Sequence, residues 1–224
     1  ASVVASGAVI VAVASVVAVV VRVGRAVNRM RAHTFEHADA VRLVGRSAGG
    51  DVVIIDAAEP AAYCVAGRPP AIVVTTAALA ALDGTQLAAV VAHERAHLDG
   101  RHAYLVAAVR GLAAALPRIG LFATAAAQTC SLLEMCADDA AARRHGHRPL
   151  LAGLLTLSGA DAPAHGLAAA SVAVLVRAER LLDPQKGLAQ IGTHVTLSGP
   201  VAAMAAAPLA IVALSLSGAV ACFA

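Results

Sequence analysis

The chain opens on a run from Ala1 to Val21 that holds no charge and no proline. Roughly 20 such residues, coiled as a helix, cross a hydrocarbon core about 30 Å thick. A second charge-free run extends from Leu197 to Ala224. Pro200 sits near its start, where proline is tolerated, and Pro208 would kink its interior. Between the two runs the pattern changes. Asp51–Asp56, Ala61–Val65 and Ala71–Thr76 are short apolar or β-branched runs set apart by Gly67 and Pro69-Pro70. They predict a small, mostly antiparallel sheet. A turn at Asp83-Gly84 leads to Thr85, an expected N-cap for a helix through Leu87, Val90 and Val91 into His93. A third apolar stretch, Ala103 to Gln128, is interrupted by Arg110, Pro117 and Arg118. A central Arg costs about 2.5–3.5 kcal/mol on insertion, so this stretch is expected to pack in the domain or lie on the bilayer surface.

Charge orients these elements. Arg22, Arg25, Arg29 and Arg31 follow the first run, and Arg177, Arg180 and Lys186 precede the last. Basic flanks stay on the cytoplasmic side. The expected layout is a transmembrane helix at 1–21, a cytoplasmic domain at 22–196 and a transmembrane helix at 197–224. The fold class expected is α+β, mostly helical with a small β-sheet, in a multi-pass protein of the cell membrane. Composition alone carries less weight: 59% of residues are hydrophobic, but the excess is Ala and Val, as codon bias in a GC-rich genome produces. The net charge of +3 comes without a stripe of basic and aromatic residues, which argues against direct nucleic-acid binding. The four cysteines lack CxxC spacing and read as isolated thiols in a reducing compartment.

The chemistry concentrates in His93-Glu94-Arg95-Ala96-His97. On a helix, the i, i+4 spacing places both imidazoles on one face, able to share a zinc ion. Glu94 can reach water at that ion as a general base. Hydrolytic zinc takes a third protein ligand and leaves one position open. His102 lies beyond Gly100 at an unsuitable spacing, whereas Glu134 and Asp138 are four apart on a later helix. Glu134 is the expected third ligand, and Asp138 the expected acceptor of a ligating histidine's spare N–H. Arg144 and His145 are candidate oxyanion stabilisers, the alternative being a solvated helix end favoured by the dipole. Tyr63 and Tyr104 are further candidates. His33 and His37 share the i, i+4 spacing but lack a Glu after the first His, and predict a surface helix.

HExxH followed by ExxxD resembles the gluzincin arrangement. Glu134-x-x-Ala137-Asp138 is similar to its form in membrane-embedded gluzincins: HtpX-like enzymes, CAAX prenyl proteases and BlaR/MecR-type peptidases. Ile55-Asp56, Ala62-Tyr63-Cys64, Pro69-Pro70 and Ile72–Thr75 most resemble the BlaR/MecR type. The segment before Glu134 is also too short for the membrane hairpin of HtpX-like enzymes. The resemblance implies a gluzincin (zincin) domain and a Zn2+-dependent endopeptidase. It would bind an extended peptide along an edge strand at Ala62 and Tyr63. The implied task is regulatory cleavage of a cytoplasmic repressor, such as a winged-helix protein. The alternatives are membrane-protein quality control of the HtpX-like kind, or a non-catalytic membrane signalling protein on a protease fold.

Overall fold

The computed structural model describes residues 2–158, 177 and 179–181. The expected helix at 197–224 lies outside the described residues. Residues Ala1–Arg177 form one compact unit and Ala178–Ala224 another; the elements below belong to the first.

Helix α1 runs unbroken from Ser2 to Val44, about 65 Å at 1.5 Å per residue. The expected boundary at Val21/Arg22 is therefore a change of chemistry along one rod, not a structural break. No proline interrupts the basic half, so helical hydrogen bonding continues through it. Val9, Ile10, Val11, Val13, Val16 and Val17 are all exposed, and none of the most apolar window of this helix is buried. The far end behaves differently, because Ala38 and Val41 are buried in the core. Among the described residues, α1 is the one helix long and apolar enough to cross a membrane.

Four strands follow: β1 (Arg46–Gly49), β2 (Val52–Ile55), β3 (Ala62–Val65) and β4 (Ala71–Thr75). Their order is β1-β2-β4-β3. The β1–β2 and β3–β4 pairs are antiparallel, as expected for most of the sheet. The β2–β4 pair is parallel, because β3 takes the outer place and sends β4 back alongside β2. Strand β1 was not expected: all four of its residues are exposed, so no apolar alternation marks it. Every residue of β4 is buried. Ala71 and Val73 pack with Ala38 and Val41 of α1, while Ile72 and Val74 pack towards Leu87, Val91 and Leu98. The sheet is thus covered on both faces by helices, which is why β4 reads as a continuous apolar run.

Five more helices complete the described fold: α2 (Thr76–Ala81), α3 (Gly84–Asp99), α4 (His102–Ala115), α5 (Gly120–His145) and α6 (His147–Leu157). The cap of α3 is Asp83, not Thr85. Asp83 Oδ1 accepts from the N–H groups of Thr85 and Gln86 at 2.8 Å each, and the Gln86 side chain returns to the Asp83 N–H. Two orphan donors are satisfied this way. The stretch at 103–128 is not one helix. It breaks between Ala115 and Gly120, where Pro117 lacks the N–H a continuing helix needs. Helix α4 then lies along α1. A Cβ at Gly111 would come 2.9 Å from Ala26 Cβ and 3.4 Å from Val23 Cα, so glycine permits the close approach. Arg22 Nη1 donates to the Ala115 carbonyl at 3.3 Å.

Candidate metal centre

Helices α3 and α5 pack so that the HExxH face meets Glu134. His93 Nε2 and His97 Nε2 lie 3.2 Å apart. Glu134 Oε2 is 3.5 Å from the first, and Glu134 Oε1 is 3.5 Å from the second. A tetrahedral zinc ion with bonds of about 2.0–2.1 Å separates its ligands by about 3.3 Å. The imidazole pair matches one such edge, and the Glu134 carboxylate spans the pair with one oxygen towards each ring. These residues are also the group of the described chain whose donor atoms come close enough together to hold an ion.

Behind the triad sits a buried charge cluster. Asp138 is fully buried, with Oδ1 3.0 Å from His93 Nδ1. The contact is close but poorly aligned, and His93 Nδ1 makes no well-directed hydrogen bond. Arg177 donates to both Asp138 oxygens, Nε to Oδ2 at 2.8 Å and Nη2 to Oδ1 at 2.7 Å. Its Nη1 lies 3.1 Å from Glu134 Oε2. Burial raises the carboxyl pKa values of Asp138 and Glu134, but their contacts with Arg177 and His93 outweigh it and hold both below the ordinary range. His93 is the converse: burial favours its neutral form, yet Asp138 and Glu134 lift it to about 9. Burial pushes His97 down to about 4.

Glu94, next to His93 on α3, reaches the edge of the sheet. Its Oε2 accepts the backbone N–H of Cys64 at 2.9 Å, and burial raises its pKa. Cys64 belongs to β3, an edge of the sheet, as do Ala62 and Tyr63. The Tyr63 hydroxyl lies 3.1 Å from His37 Nε2 on α1, with the two rings stacked at 5.7 Å. A cavity of about 310 Å3 opens beside the triad, lined by Thr34, Cys64, His97, Tyr104, Leu133 and Glu134 among others.

The structure thus brings together His93, Glu94, His97, Glu134 and Asp138. It does not bring Arg144 and His145 to them. Both are exposed in the last turn of α5, about 15 Å along the axis beyond Glu134. The cation beside the triad is Arg177, which the sequence offered only as part of a basic flank. No local pattern links it to Asp138, 39 residues earlier.

Two imidazoles and a carboxylate converge closely enough that they could hold one metal ion, with the Glu94 carboxylate between their helix and the sheet edge. Residues 25–180 match peptidase family M48, and the chain belongs to that family; it is a metallopeptidase of a typically zinc-dependent kind. No curated protein and no solved structure matches the chain.

Proposed function

We propose that this protein is a membrane-anchored zinc endopeptidase in which His93, His97 and Glu134 hold the metal and Glu94 is the general base. The observation that carries the reading is the convergence of His93, His97 and Glu134: the two Nε2 atoms lie 3.2 Å apart, and a different Glu134 oxygen lies 3.5 Å from each. A bound zinc ion supplies Lewis acidity towards the scissile carbonyl and towards water. Glu94, held by Cys64, takes a proton from the attacking water as the new C–O bond forms. It returns that proton to the leaving nitrogen as the C–N bond breaks. Asp138, itself anchored by Arg177, orients His93. The outer edge of β3 at Ala62 and Tyr63 receives an extended peptide, with the adjoining cavity taking one of its side chains.

The membrane reading rests on α1: a soluble helix buries one face, and the apolar run of this one buries none. The basic residues after Val21 support a cytoplasmic site. The finer likeness to BlaR/MecR-type peptidases, with a repressor as substrate, rests on the residues around β2, β3 and β4 and on the short segment between the HExxH helix and Glu134. Membership of family M48 equally accommodates a quality-control role. The test is metal content with proteolysis. The purified protein should carry about one zinc, and Glu94→Gln should keep it while losing at least a hundredfold in peptide cleavage. Full cleavage by Glu94→Gln, or no zinc uptake, would overturn the reading.

A further inference from the structure

Beyond the residues assigned above, His97 has a partner of its own. Helix α3 ends at Asp99, Gly100 caps it, and Arg101 adopts φ 51°, ψ 36°, the left-handed region that a non-glycine residue seldom occupies. This tight reversal folds His102, the first residue of α4, back over the last turn of α3. His102 Nδ1 then lies 2.9 Å from His97 Nδ1, with the rings edge-on at 4.8 Å and 89°.

Two neutral imidazoles facing through Nδ1 share one N–H between them. If His102 donated, His97 would carry its proton on Nε2, pointing at His93 and Glu134 where an ion would sit. If His97 donates, its Nε2 lone pair faces that gap. We propose that His102 is a positioning residue: it accepts the His97 Nδ1–H, and so fixes the ring and the tautomer in which His97 binds metal. It does for His97, without a charge, what Asp138 does for His93. His102 itself stays outside the ligand set. Gly100 is part of the device, because a Cβ there would fall 2.3 Å from His102 Nε2. Any side chain at 100 would push the ring off its partner.

This inference rests on the metal reading of the triad. The experiment is zinc affinity of the full chain in detergent, measured by chelator competition, with the cobalt(II) absorption spectrum as a second readout. His102→Ala should weaken zinc binding about 10–100-fold while the cobalt spectrum still reports four-coordination. His102→Asn, whose amide oxygen replaces the acceptor, should stay within about threefold of wild type. Gly100→Ala should weaken binding about tenfold with His102 intact. If His102→Ala misfolds, the Asn and Gly100→Ala variants decide, and loss in the first with retention in the second would overturn the inference. Wild-type zinc uptake with an unaffected His102→Ala would overturn it alone. No uptake by wild type would overturn the metal reading and this inference together.

Discussion

The Cys64 backbone N–H donates to Glu94 Oε2 at 2.9 Å, so the sheet's edge strand and the helix of the metal ligands meet at one carboxylate. A peptide laid along β3 is thereby delivered beside the group assigned to deprotonate water. Main-chain pairing with that edge should contribute to substrate affinity. For any peptide the protein cleaves, N-methylation of the amide facing β3 should raise KM about 3–10-fold, the worth of one backbone hydrogen bond. The kcat should change less. Equal KM for methylated and unmethylated peptides would exclude β3 as the docking edge.

Zinc affinity should depend on pH through His93. Its folded pKa, lifted to about 9 in the metal-free protein, means that binding at neutral pH displaces one proton. His97, pushed down to about 4, is already neutral there. Affinity should therefore tighten about tenfold per pH unit up to about pH 9 and then level off. The sign reverses for the metal-free fold. A raised histidine pKa stabilises fully below the unfolded value of about 6.5, and that contribution disappears as pH rises through about 9. Chelator competition and metal-free unfolding from pH 6 to 10 test both halves.

Arg177 neutralises Asp138 where water cannot. Arg177→Gln should cost about 3 kcal/mol, because it leaves a buried carboxylate with only His93 for a partner. Pairing it with Asp138→Asn should restore part of that loss, since no stranded charge remains. Additive losses in denaturant unfolding of the two single variants and the double would refute the coupling.

Asp83→Ala should cost about 1 kcal/mol by removing the side-chain acceptor of the Thr85 and Gln86 N–H groups at the start of α3. The cap lies ten residues before His93, so zinc affinity should hold. Thermal unfolding together with zinc titration separates the two effects.

The absence of tryptophan gives a clean test of the membrane assignment. Val13→Trp should emit in the blue and be quenched by brominated lipids in proteoliposomes. Leu43→Trp, at an exposed site near the sheet, should be quenched by aqueous iodide instead. Iodide quenching at both positions would rule out α1 as a span.

What could be read from the chain follows how local the interaction is. His93, Glu94 and His97 declare themselves because a helix turn fixes their geometry, and Glu134 with Asp138 repeats that spacing on α5. Arg177 was invisible as a site residue, since its contact with Asp138 is purely tertiary. His102 was set aside as a ligand because it lies beyond Gly100 at an unsuitable spacing; the left-handed Arg101 brings it back against His97. Strand β1 lacks the β-branched run that marks β2, and the shift from valine to arginine at position 22 marks chemistry where the helix simply continues.

That continuity has a mechanical outcome. One stiff rod carries the apolar run, the basic collar and Thr34 at the cavity wall. With the apolar run embedded as proposed, Arg22 to Thr34 sets the catalytic chamber about 18 Å above the lipid. On that reading, peptide bonds tethered near that height would be within reach, and those held flush against the bilayer would not.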